Sequence, residues 1–97
     1  MTTLKIEDVE NMMEVVLRGL KDVQFSSFQV DHDHYWDLAP EQAFDVINVP
    51  NPEIFAGQLS SDIQDLGTVC SDPERFIPFH LQCLASVLRY LSYRLKP

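Results

Sequence analysis

Between Asp22 and Glu74 the chain has eleven acidic residues and neither lysine nor arginine. Its cations, Lys5, Arg18, Lys21, Arg75, Arg89, Arg94 and Lys96, all lie outside that stretch, and the net formal charge is −8. A surface this acidic repels phosphate backbones and anionic lipid, so neither nucleic acid nor a membrane is an expected partner. Glycine is scarce as well. Gly19, Gly57 and Gly67 stand alone, which rules out a glycine-rich phosphate loop. Cys70 and Cys83 are too few for a disulfide framework and suit a reducing, cytoplasmic setting. No basic region leads into an apolar stretch, so no secretory signal is expected. The longest apolar runs stop after a few residues, far short of the roughly 20 that span a bilayer.

What the chain does have is a globular balance, 45% apolar and 23% charged residues, in a length that suits one domain, residues 1–97. The C-terminal quarter carries the strongest pattern. Ile77, Leu81, Leu84, Leu88, Leu91 and Leu95 recur at steps of four and three, which places them on one stripe of an α-helix. Phe76, His80, Cys83, Val87, Tyr90 and Arg94 form a second stripe beside it. Arg75, Pro78, Gln82, Ser86, Arg89, Tyr93 and Lys96 make the opposite, mostly polar face. An apolar arc this wide is expected to be central or shared with a partner. Pro73 follows capping residues Ser71 and Asp72, and Pro78 lies one turn too deep for an unbroken helix. The reading is a short turn over 72–76, a restart near Pro78, and a helix to about Leu95.

Upstream, an amphipathic helix is expected from Ile6 or Glu7 to about Leu20, with Val9, Met12, Met13, Val16, Leu17 and Leu20 on its apolar face. Residues 22–33 read either as a strand with a bulge near Ser26–Ser27 or as a loop. His34–Leu38 alternates polar and apolar residues and reads as a strand. Pro40 sets a turn, and Ala43–Val49 reads as the returning strand. Trp36, Leu38, Phe44 and Val46 would then share the core face. Pro50 and Pro52 close that pattern, and residues 51–57 read as a loop whose Ile54 and Phe55 tuck against the core. A short helix carrying Leu59, Ile63, Leu66 and Cys70 follows, capped by Ser60 or Ser61, with Gly67 bending or ending it early. The expected fold is α+β: an N-terminal helix, a small antiparallel sheet of two or three strands, a short helix, and a long C-terminal helix packed on the sheet.

Chemistry-bearing residues are few. In Asp31-His32-Asp33-His34, the imidazoles of His32 and His34 share one face of an extended segment, where they would begin a metal site. Only His80 and Cys83 offer to complete it. An acidic loop in water accounts for the same residues without a metal. Cys83 and His80 as nucleophile and base lie on an apolar stripe, which favours core roles. The pair Asp62 and Asp65 shows no sign of the burial that acid–base work requires. No catalytic residue and no cofactor is expected.

Tyr35-Trp36-Asp37-Leu38, Phe44-Asp45-Val46, Pro50 and Gly57-Gln58-Leu59-Ser60-Ser61-Asp62 together resemble a pattern in small stand-alone bacterial α+β proteins of unassigned function. Leu84–Leu91 is similar to their closing helix. Some small acidic proteins of this look serve as immunity proteins beside toxins, an analogy of size and charge. The resulting expectation is a non-enzymatic protein-interaction module, homodimeric, with Asp31, Asp33, Asp37, Glu41, Asp45 and Tyr90 as partner-binding residues. Two alternatives stand beside it: an immunity or antitoxin-like protein that covers a basic toxin, and a metal-binding protein using His32 and His34 with Asp31 and Asp33.

Overall fold

The computed structural model describes residues 1–22 and 27–95. Helix α1 spans Ile6–Lys21, with Glu7 and Asp8 in its first turn and Arg18 and Lys21 in its last, as the helix dipole favours. Residues 27–33 form neither helix nor strand. The expected bulge at Ser26 falls partly outside the described residues. Strand β1, His34–Leu38, has the bounds that its alternation predicts.

The returning strand is displaced. Pro40 initiates a four-residue helical turn, α2 (Pro40–Ala43), in which the Ala39 carbonyl accepts from the Gln42 and Ala43 N–H groups at 2.9 Å. Proline at the first helical position favours a helix as readily as the β-turn expected from sequence. Residues 43–49 are therefore not a strand. The partner of β1 is β2, Ile54–Gln58, the stretch expected to be a loop. The two pair antiparallel, with Trp36 opposite Ala56 and Tyr35 opposite Gly57. The Gln42 side chain accepts from the Glu53 N–H at 2.8 Å, which fastens the connection where β2 begins.

That register puts Trp36, Leu38, Ala56 and Ile54 on one face of the sheet and Tyr35, Asp37, Phe55 and Gly57 on the other. The expected core face of Trp36, Leu38, Phe44 and Val46 is not a core. Trp36 is 72% exposed and Phe44 92% exposed, and Val46, Ile54 and Phe55 are exposed too. Without a second strand at 43–49, Phe44 and Val46 have no sheet to sit on.

Helix α3, Leu59–Ser71, follows β2 directly and runs through Gly67 without ending there. It starts ahead of the expected serine caps, with Gln58 at the N-cap and no capping side chain of its own. A 3₁₀ turn, Pro73–Arg75, leads to α4, Phe79–Arg94, so the restart at Pro78 is observed. Leu59 borders a cleft with Val87 and Leu91, while Asp62 lies by Cys83, so α3 and α4 run antiparallel as a helical hairpin.

The depth ranking on α4 differs from the reading. Cys83, 1% exposed, and Ser86 are its buried residues, whereas Leu81 is 60% exposed and Ile77 is exposed. Deepest are Cys83 of the second stripe and Ser86 from the face read as polar, while Leu84, Leu88 and Leu91 are half-buried alongside Val87 and Tyr90. Ser86 is tolerated there because its hydroxyl finds Tyr35 and the Gln82 carbonyl.

Candidate functional site

Three hydrogen-bonded assemblies converge where the segment before β1 crosses the α3–α4 hairpin. The first supplies the cap that α3 lacks. The Asp33 carboxylate accepts from the Ser60 N–H at 2.7 Å, the Ser60 hydroxyl at 2.9 Å and the Gln58 amide at 3.0 Å, and its carbonyl accepts from the Leu59 N–H at 2.7 Å. These bonds, led by the Ser60 N–H, hold the Asp33 carboxyl below its ordinary pKa.

The second ties residues 28–31 to the end of α4. Arg94 donates to the Gln29 carbonyl at 2.8 Å and to the Tyr90 oxygen at 2.7 Å, and Tyr90 donates to Asp31 at 2.8 Å. The guanidinium also lies 5.3 Å from the centre of the Phe28 ring, a cation–π distance. Chiefly through the Tyr90 bond, the Asp31 pKa falls to about 2.

The third is interior. The Tyr35 hydroxyl donates to Asp62 at 2.5 Å and accepts from Ser86 at 2.9 Å. The phenol end of its ring sits against Gly57, its cross-strand partner, where a Cβ would fall on the ring atoms. Glycine is therefore required for the approach, a reason independent of any turn. Asp62 is buried, and the Cys83 thiol lies beside it. Loss of solvation, then the neighbouring carboxylate, pushes Tyr35 up to about 12; the same order of causes pushes Cys83 up to about 11. Both groups keep their protons at neutral pH, so neither supplies an anionic nucleophile.

Beside these assemblies opens a largely apolar cavity of about 390 Å³, bordered by His32, His34, Tyr35, Arg89, Tyr90 and Tyr93. His32 is set at its rim by a 3.0 Å contact with Asp31 and an edge-on approach to the Tyr93 ring, 5.9 Å between centres.

The residues singled out from sequence are thus only partly assembled. Asp31, Asp33 and Tyr90 lie in this region, but each is engaged within the chain. Asp37 accepts from the Leu38 N–H at 2.8 Å, Asp45 from the Asn48 amide at 2.9 Å, and Glu41 sits exposed in the first turn of α2. His32 and His34 both reach the cavity, yet no group of three or more metal-ligating side chains forms among the described residues. His80 and Cys83 do not join them: Nδ1 of the His80 ring accepts from the Ile77 N–H at 3.0 Å, and Cys83 is enclosed beside Asp62. Sequence reasoning missed Asp33 as a remote cap and Arg89 and Tyr93 as cavity walls. For Asp33 a signal existed, since Gln58-Leu59 opens a helix with no good capping residue. Among the described residues no helix is long and apolar enough to cross a membrane. No family model matches the chain, and no curated protein or solved structure matches it either.

Proposed function

We propose that this protein is a non-enzymatic interaction module that works as a homodimer. The observation that carries the reading is surface. The chain exposes 8346 Å², whereas a folded monomer of 11.2 kDa is expected to expose about 5,700 Å². The surplus, about 2,600 Å², lies just above what one side of an obligate interface covers, roughly 1,000–2,500 Å² per partner. Much of it is apolar. Trp36 and Ile54 border one shallow cleft with Leu38 and Ala43, Phe44 follows, and Ile47 is 92% exposed. A second copy laid on this side would also relieve a two-stranded sheet that is marginal by itself. Size-exclusion chromatography with light scattering is expected to give twice the 11.2 kDa chain mass. A mass of one chain at micromolar concentration would sink the reading.

A second reading, an immunity or antitoxin-like protein with a basic partner, has one observation in its favour. Among the described residues, Asp37, Glu41, Asp45 and Glu53 form no ion pair. Such a partner would associate quickly and release in salt, and a purified basic partner whose association rate ignores ionic strength would count against it.

A further inference from the structure

We infer that the cavity between His34, Tyr35 and α4 is a binding site for a small aromatic carboxylate, held by the Arg89 guanidinium. The inference goes beyond the homodimer reading and does not need it. At about 390 Å³ the space falls within the range of pockets that enclose small ligands. Tyr35, Tyr90 and Tyr93 are among the residues that line it, and aromatic side chains offer stacking and edge contacts to a planar body. Tyr35 and Tyr90 are fixed before any ligand arrives, the first by Asp62 and Ser86 and the second by Asp31 and Arg94. Preorganised walls lower the ordering cost of binding.

The charge pattern selects the sign of the ligand. In a protein of net charge −8, no carboxylate among the described residues lines this cavity. The nearby acids are already engaged: Asp31 by His32, Tyr90 and Arg94, and Asp62 by Tyr35. Arg89, in contrast, makes no hydrogen bond or ion pair among the described residues. Asp37 borders the adjoining cleft that Arg89 also reaches, but the two are not paired. Arg89 is exposed at the edge of the cavity, and its guanidinium presents a planar fork that suits a carboxylate in two-point contact. His32 and His34 at the mouth add donors and no fixed negative charge.

The test is isothermal titration calorimetry of the full chain with 2-naphthoate, against 2-naphthamide as an uncharged ligand of nearly the same shape. Saturable binding at one site per chain is expected, with naphthoate at least about tenfold tighter than naphthamide because the bond to Arg89 is charge-assisted. Arg89→Gln is expected to remove that preference, and Arg89→Lys, which keeps the charge but not the fork, to retain part of it. Arg75→Gln, at a distant exposed arginine paired with Asp72, should leave it unchanged. Equal affinity for acid and amide, no saturable binding, or the same loss from Arg75→Gln as from Arg89→Gln would overturn the assignment. Light scattering on the same samples keeps the outcome separate from the homodimer: naphthoate binding by a one-chain species would defeat the dimer and leave the site standing.

Discussion

The joint where β1, α3 and α4 meet and the flanking segments outside it, α1 and, separately, residues 39–53, are built from similar residue types but held by different means. In the joint, polar side chains do the fastening, and each buried polar side-chain atom among the described residues has a partner. Tyr35, Asp62, Ser86 and Cys83 lock the interior, Asp33 closes the start of α3, and Arg94 straps the preceding segment down. The flank carries the greasier surface yet buries little. Helix α1 contains no buried residue, and its Met12, Val15 and Val16 are exposed, as are Phe44, Val46 and Ile47. The contrast teaches that apolar content did not decide where the order lies. Directional bonds to a few acids did, while the apolar side chains of the flank stay exposed.

The sharpest way to break this comparison is Gly57→Ala. The new methyl would occupy the space of the Tyr35 ring, forcing it off Asp62, and the combined overpacking and lost bond should cost about 2–5 kcal/mol in urea unfolding. An unchanged midpoint would mean that the joint is slack. Tyr35→Phe is milder. It leaves buried Asp62 short of a donor, for a loss of about 1–3 kcal/mol.

The same variant has a pH signature. Tyr35 rises from an ordinary value of 10.0 to about 12 and Cys83 from 9.0 to about 11. A pKa raised by folding stabilises fully below the unfolded value and loses that contribution as pH climbs through the folded one. Wild-type stability should therefore decline from about pH 9 to about pH 12, and in Tyr35→Phe the part above about pH 11 should vanish. An identical alkaline profile would remove Tyr35 from the lock.

On the flank, Phe44→Ser with Ile47→Ser should change subunit stability by only about 0.5 kcal/mol, since both side chains are bare. The light-scattering mass should nevertheless fall toward one chain. If unfolding shifts strongly while the mass stays, the flank is a hidden core after all. The smallest effect belongs to Asp31. Its pKa is lowered to about 2, chiefly by Tyr90, so its contribution is present above the ordinary value of 3.8 and fades as pH falls toward 2. Asp31→Asn should flatten only that acid limb in a pH series of melting curves.

Parts of this architecture were legible in the residues. The alternation His34–Leu38 and the Pro78 restart depend on local rules, and both were found where expected. The second strand was not, because Ile54–Gln58 follows two prolines and contains Gly57, a composition that reads as loop. Its pairing depends on a tyrosine 22 positions away accepting a neighbour without a side chain. Ala43–Val49 satisfied the strand period but lost to Pro40, which starts a helical turn instead. Within the candidate site, Tyr90 could be singled out from its stripe, whereas Arg89 was assigned to a solvated face. The cavity it borders is created only when β1 lies over α4, an arrangement that no local spacing encodes.

Asp33 makes α3 a helix that is finished from outside. Its first turn receives an acceptor separated from it by 27 positions of sequence, counted to Ser60, so an excised peptide of residues 58–71 lacks the group that would nucleate its opening turn. Secondary structure here is thus a product of chain closure rather than its raw material. Strand pairing and helix initiation should appear in the same kinetic phase, in a protein that ripens all at once or not at all.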